Sequence, residues 1–210
     1  MKRGLLLVLA LLLAAPAASI VGQESGEQIP EARTRKGRVK YKKALGMWTR
    51  DLKLYANLET KLLLRAVYKS EAFREAWSAE YSRRYMLPKE QRVLLEDRQR
   101  DDARRFHEVL FAVWAADSKN GHFIGDDAPW NLHLVTEDGE AVPPLVVTRI
   151  KRPSTELVEL YPFITPHDRV FVAKFPVLGD DGSPLLASDA KQVSLRVAGV
   201  LARGQVTWDL

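Results

Sequence analysis

The chain contains no cysteine among its 210 residues. A chain without thiols cannot form disulfides, cannot use a cysteine nucleophile or redox pair, and cannot carry the lipid-modified cysteine of a lipoprotein. Small secreted domains of animals usually depend on disulfides. If the chain is exported, the absence of cysteine therefore favours a bacterial periplasm or cell surface.

The signatures of the common catalytic sites are also missing. The sequence contains no G-x-S-x-G nucleophile elbow, no H-E-x-x-H zinc motif, no P-loop and no glycine-rich dinucleotide turn after a strand. A reaction site would have to be assembled from residues that are distant in sequence. The sequence therefore favours a protein that is not an enzyme, and it indicates no cofactor.

Long apolar runs are absent except at the N-terminus. There, Lys2 and Arg3 precede an apolar run of about a dozen residues and a segment of small residues. A basic start, an apolar middle and a small-residue cleavage site make up a secretory signal. We predict that residues 1–17 are a signal peptide that is cut before Ala18, with a cut before Ile20 as the alternative.

An uncleaved membrane anchor is the other interpretation of this segment. Residues 4–21 reach eighteen residues only when Pro16 and Ser19 are counted, whereas a spanning helix needs about 20 apolar residues. Cleavage is therefore the preferred prediction. It places the mature chain in the periplasm, on the cell surface or outside a bacterial cell.

The net charge of +5 is unevenly distributed. Residues 31–117 carry 21 Lys and Arg against 13 Asp and Glu, a net charge of +8, and residues 118–210 carry 9 against 12, a net charge of −3. A basic half joined to a mildly acidic half indicates two structural units.

A dense basic segment follows the lead-in. Seven of eleven successive residues are positively charged: Arg33, Arg35, Lys36, Arg38, Lys40, Lys42 and Lys43. One interpretation is the solvated start of a helix. The functional interpretation is binding to an anionic surface, either lipid headgroups or a charged wall polymer. Export argues against nucleic acid as the partner.

Apolar spacing predicts three helices in the first half. Apolar residues recur every three or four positions over residues 39–68, and a second helix is expected from an N-cap at Ser70 to just before Pro88. A third helix is predicted over residues 89–116, with apolar ends and a charged middle. Together these helices predict an N-terminal bundle.

From Trp130 onward the apolar period shortens towards two, with turn-forming residues between the short runs. About six strands are expected, among them residues 157–161. We predict an α+β protein, in which a bundle of about three helices is followed by a small antiparallel β-sandwich or open barrel. The predicted segments are a signal peptide (1–17), a flexible basic lead-in (18–38), a helical domain (39–117), a connection (118–129) and a β domain (130–210).

One group of residues suggests a metal site. His122, Asp126, Asp127 and His133 place two imidazoles and two carboxylates within twelve residues, and zinc accepts such ligands. Their spacing matches no metal motif, and Gly-Asp-Asp is also ordinary turn chemistry. Both interpretations stay open at this point.

Two hypotheses on function follow. The first is an exported, non-catalytic envelope protein that acts as a binding or scaffolding module, with an envelope protein or an anionic surface as its partner and peripheral membrane contact included. The alternative is a metal-binding protein or metal-assisted hydrolase built on the histidine and aspartate group.

Overall fold

The structure is a computed structural model, and it describes residues 31–210. The predicted signal peptide and the start of the lead-in lie outside the described residues. The helices are α1 (Glu31–Trp48), α2 (Glu71–Arg84), α3 (Lys89–Arg105) and α4 (Thr155–Leu160), with a short 3-10 helix at Ser118–Asn120. The strands are β1 (Thr49–Ala56), β2 (Glu59–Tyr68), β3 (Phe106–Trp114), β4 (Trp130–Val135), β5 (Ala141–Val142), β6 (Val146–Ile150), β7 (Arg169–Pro176), β8 (Gln192–Gly199) and β9 (Arg203–Asp209).

The chain is an α+β protein whose strands form two antiparallel sheets. The five-stranded sheet has the order β1-β2-β3-β7-β6, and the four-stranded sheet has the order β5-β4-β8-β9. Strand β3 pairs with β7 from Phe106↔Pro176 to Val113↔Arg169. The five-stranded sheet therefore contains strands from both sides of the predicted connection, residues 118–129.

The prediction of one helix over residues 39–68 is wrong. Helix α1 begins earlier, at Glu31, so that residues 31–38 of the predicted lead-in are helical, and it ends at Trp48. A β1–β2 hairpin follows, and its turn is made by Asn57 (φ 53°) and Leu58 (φ 63°). Two successive residues with positive φ are the requirement of a tight two-residue hairpin turn.

The buried residues of this hairpin explain the error. Leu52 and Leu54 on β1, and Leu62 and Leu64 on β2, are buried at alternate positions. Alternation is the pattern of a strand with one buried face. Leu52 and Leu62 also fall, with Trp48, Tyr55 and Leu58, at steps of three and four residues, so the apolar spacing fitted a helix as well as a strand.

The third predicted helix is correct only as far as Arg105. Residues 106–114 form β3 instead of continuing the helix to 116, and every residue from Val109 to Val113 is buried. A strand covered on both faces is a continuous apolar run, and periodicity cannot distinguish it from a buried helix. Enrichment in β-branched and aromatic residues was the available signal.

The second predicted helix is confirmed. Ser70 caps α2, and its Oγ accepts a hydrogen bond from the Phe73 backbone N–H at 3.1 Å. The strand predicted at residues 157–161 is wrong, because α4 occupies most of this segment. Ser154 caps that helix in the same way, accepting from the Leu157 N–H at 3.2 Å.

The two sheets and helices α1, α2 and α4 share one hydrophobic core. Trp208 on β9 is fully buried, its ring centroid lies 5.6 Å from that of Tyr68 on β2, and its Nε1 donates to the Trp48 carbonyl at 2.8 Å. Gly204 on β9 faces β1 so closely that a Cβ there would lie 2.6 Å from Leu54 Cδ2. Residues from both halves of the chain therefore pack together.

Among the helices of residues 31–210, none has both the length and the apolar character that crossing a bilayer would require.

Candidate functional site

The predicted basic segment lies on α1. Arg38, Lys40, Lys42 and Lys43 are all exposed. The side chains of Arg33, Arg35 and Lys36, the other three predicted site residues, lie outside the described residues. The described part of the segment therefore presents four positive charges to solvent from one helix.

Two aromatic residues fix α1 to the body of the protein. The Tyr41 hydroxyl donates to the Leu160 carbonyl at 2.6 Å, and its ring packs 6.1 Å from that of Phe73. Trp48 is buried at the other end of the helix, where its ring lies 5.9 Å from that of Tyr68. Because these side chains hold one face of α1 inward, the lysines are held on the outside.

A buried carboxylate forms ion pairs within α2, the helix that lies beneath α1. The Glu80 side chain on α2 has no solvent exposure, and it accepts hydrogen bonds from Arg83 and Arg84 at 2.7–2.8 Å. Burial acts to raise the pKa of Glu80, but the two guanidinium groups outweigh it and hold the pKa below its ordinary value. Gly37 of α1 packs near the Arg83 side chain, so α1 lies against this ion-paired group.

The charge on α1 is uncompensated along the helix itself. Residues 32–48 contain no aspartate or glutamate. Lys40 forms an exposed ion pair with Glu75 of α2 at 3.4 Å, and within the described part of the chain Arg38, Lys42 and Lys43 form no ion pair. These three cations therefore remain available to an external anion.

The four predicted metal ligands do not form a cluster. His122 Nε2 and Asp127 Oδ2 approach to 4.0 Å, and Asp127 is almost fully exposed. His133 lies on β4 opposite Arg196 of β8, a cationic neighbour that disfavours a second cation. Within residues 31–210, no three histidine, aspartate or glutamate side chains are placed to hold a metal ion. The geometry thus brings one pair together and leaves Asp126 and His133 apart.

Sequence analysis missed a buried polar cluster around Glu108 on β3. Lys69 Nζ donates to Glu108 Oε1 at 2.6 Å, and Arg74 Nη2 donates to Oε2 at 2.9 Å. Arg74 also donates to the Lys69 carbonyl and to Gln99 Oε1 of α3. Because the segment was taken as a helix, the burial of Glu108 and its partners, 34 and 39 residues away in sequence, could not be foreseen.

The Glu108 cluster connects β3, α2 and α3. Burial acts to raise the pKa of Glu108, but the charges and hydrogen bonds of Lys69 and Arg74 outweigh it and keep the pKa below its ordinary value. Both carboxylate oxygens are occupied, so no free base is left for chemistry. The cluster ties β3 to the start of α2 and, through Gln99, to α3.

The neighbouring His107 is also buried on β3. Its Nδ1 lies 2.9 Å from the Tyr68 hydroxyl, and among residues 31–210 its Nε2 has no hydrogen-bond partner. Burial raises the pKa of Tyr68, so the phenol stays protonated and donates to Nδ1. Burial lowers the pKa of His107 to about 4, and the imidazole is therefore neutral at physiological pH.

Helix α3 contacts the protein mainly through polar groups. None of its residues is buried, and a cleft of about 200 Å³ separates it from α2. The cleft is lined by Glu71, Arg74, Glu75, Ser78, Glu96, Gln99, Arg100 and Ala103. Acidic and basic side chains alternate along it, so it presents no charge of one sign to a ligand.

Comparison with known proteins adds little to this geometry. No family model matches the chain, and no curated protein matches its sequence. Among solved structures it is similar to the crystal structure of bovine butyrophilin, with 15% identity over 49% of this chain and 36% of that chain, at a TM-score of 0.24. A TM-score of this size does not establish a common fold, so the function has to be argued from the residues themselves.

Proposed function

We propose that this protein is an exported, non-catalytic envelope protein that attaches to an anionic surface through the exposed face of α1. The observation that carries the proposal is the set of three exposed cations, Arg38, Lys42 and Lys43, on a helix whose opposite face is packed into the body. A rigidly held group of like charges attracts a polyanion without any folding on binding.

Export is the second part of the proposal. It rests on the basic, apolar and small-residue pattern of residues 1–17 and on the absence of cysteine. In a bacterial envelope the abundant anionic surfaces are lipid headgroups and charged wall polymers. Either anionic surface would be accessible to the exposed side chains of α1 once the mature chain has folded.

The sheets supply the platform in this proposal. We take the two antiparallel sheets as a sandwich or open barrel, with the three long helices gathered on the five-stranded sheet. Arg50 supports this arrangement, because it links the sheet edges by donating from Nε to the Thr207 carbonyl of β9 at 2.8 Å. A platform attached by one helix leaves its other surfaces available to a protein partner, as a scaffolding role requires.

Co-sedimentation with a bacterial envelope fraction tests the proposal. At low salt the exported protein should pellet with the fraction, and substitution of Arg38, Lys42 and Lys43 by serine should release it. Each cation near an anionic surface contributes about 1 kcal/mol, so the three together change the affinity about 100-fold.

The matched control removes the same charge from α3, through serine at Arg92, Arg98 and Arg104. These residues are exposed as well, and the control variant should sediment like the unmodified protein. Equal release of both variants, or release of neither, would contradict the proposal.

A further inference from the structure

The exposed face of α1 contains large apolar side chains as well as cations. Val39 is 59% exposed and Met47 is 53% exposed. Val39, Lys43 and Met47 are spaced at i, i+4 and i+8, which places them along one side of the helix. At 1.5 Å per residue this row is about 12 Å long.

One cation, Lys43, stands within this row, and two others are close to it in sequence. Lys42 and Lys43 lie between the two apolar residues in sequence, and Arg38 directly precedes Val39. Long lysine and arginine side chains can extend their charged ends towards phosphate groups while the methylene stems cover apolar surface. The face therefore combines two exposed apolar side chains with a lysine between them and further cations nearby.

A bilayer fits this combination better than a charged polymer does. A hydrated polymer offers anions but no apolar layer, so Val39 and Met47 would stay in water on binding. An anionic bilayer offers phosphate groups at the surface and hydrocarbon about 5–10 Å below them, which is the depth reached by helices lying in the interface.

We propose that the anionic surface is a lipid bilayer rich in anionic headgroups, on which α1 lies flat with Val39 and Met47 inserted below the phosphates. This inference rests on the proposed function and names the partner of the same face. It also predicts two separable components of binding, an electrostatic one that salt screens and an apolar one that salt leaves intact.

The absence of cysteine permits a direct test of insertion. The single-cysteine variant Met47→Cys is labelled with a polarity-sensitive fluorophore and mixed with vesicles of phosphatidylglycerol and phosphatidylcholine. Val200→Cys is the matched control, because Val200 is fully exposed in the turn between β8 and β9. The emission from position 47 should rise several-fold with the anionic vesicles, and the emission from position 200 should stay constant.

Affinities give the second measurement. Val39→Ser combined with Met47→Gln should weaken binding to these vesicles about tenfold, because the apolar contacts are lost while every charge is kept. The same double variant should bind a soluble polyphosphate, a polyanion without an apolar layer, as the unmodified protein does. Circular dichroism and thermal melting of this variant should match those of the unmodified protein, because both substituted side chains are exposed.

The outcomes separate this inference from the proposed function. If the serine variant of Arg38, Lys42 and Lys43 loses binding while the apolar double variant does not, and position 47 gives no signal, the bilayer is the wrong surface and attachment through charge stands. If the cation variant binds vesicles, polyphosphate and envelope fraction unchanged, the proposed function and the inference both fall.

Discussion

Helices α1 and α3 are similar in length and in content of charged side chains, but they differ in how the charges are balanced. Helix α1 has 18 residues, of which seven are basic and one is acidic, whereas α3 has 17 residues, of which six are basic and five are acidic. The first is fixed by buried aromatic side chains, and the second has no buried residue.

The ion pairs show what this difference means. On α3, Arg100 pairs with Asp97 at 2.7 Å and Arg104 approaches Asp101 at 3.9 Å, both at a spacing of three residues. Arg100 and Arg104 are two of the six cations of α3, and its five carboxylates bring the net charge of the helix to +1. A basic segment is therefore expected to bind an anionic surface only where neighbouring carboxylates do not balance its charges, and we propose α1 as such a segment.

The largest expected effect concerns the attachment of α2 to β3 and to α3. Arg74→Ala leaves Glu108 buried with Lys69 as its one cationic partner, and it also removes the contact of α2 with Gln99 of α3. Breaking a buried ion pair from one side costs about 3–5 kcal/mol, so the free energy of unfolding in urea should fall by that amount.

Gln99→Ala is the control for this variant, because it removes the α3 side of the contact and leaves the buried ion pairs intact. It should cost about 1 kcal/mol, the value of one lost hydrogen bond. A similar loss in both variants would mean that α3 itself, and not the Glu108 cluster, carries the stability of this region.

The second-largest expected effect is a pH dependence of the free energy of unfolding, and it arises from His107 on β3. The pKa of His107 falls to about 4 in the folded state, against about 6.5 in the unfolded chain. Between these values the unfolded chain binds the extra proton, so stability rises with pH across this window and falls as the solution is acidified. The full difference is about 3 kcal/mol, at 1.36 kcal/mol per pH unit.

Urea unfolding between pH 5 and 7 measures this effect where ordinary carboxylates are mostly ionised. His107→Gln should flatten the profile across that range. Helix α1 contains no histidine, so vesicle binding by the folded protein should stay constant over the same range. A profile that keeps its slope in the variant would show that another group is responsible.

The smallest expected effect follows from a change in the charge balance of α3, which tests the comparison of α1 with α3. Asp97→Asn combined with Asp101→Asn removes the partners of Arg100 and Arg104 and raises the net charge of α3 by two. Exposed ion pairs contribute about 0–1 kcal/mol each, so stability should hardly change. Affinity for anionic vesicles at low salt should increase about tenfold, because α3 now presents uncompensated cations. Unchanged affinity would mean that balance of charge is not what separates the two helices.

The sequence predicted those elements whose signals are local. The second helix was found because Ser70 caps it and Pro88 follows it, and most strands after Trp130 were found from alternation and turn residues. The β1–β2 hairpin was missed because two periods were superimposed on the same leucines. Strand β3 was missed because a doubly covered strand has no alternation.

The residues of the candidate site on α1 were also predicted only in part. The basic residues of α1 were identified from their density alone, because exposed charge needs no tertiary information. Lys40 pairs with Glu75, whereas Arg38, Lys42 and Lys43 have no ion pair among residues 31–210. This difference could not be known, since it depends on which helix lies beside α1. The Glu108 cluster, assembled from three separate elements, left no signal in the local sequence.

The central claim is that the position of the charges, and not their number, determines binding. The most direct measurement compares two variants of equal net charge, the α1 variant with serine at Arg38, Lys42 and Lys43 and the α3 variant with serine at Arg92, Arg98 and Arg104. We predict that the dissociation constants for anionic vesicles at low salt differ about 100-fold, with the α1 variant the weaker. Equal dissociation constants would contradict the account.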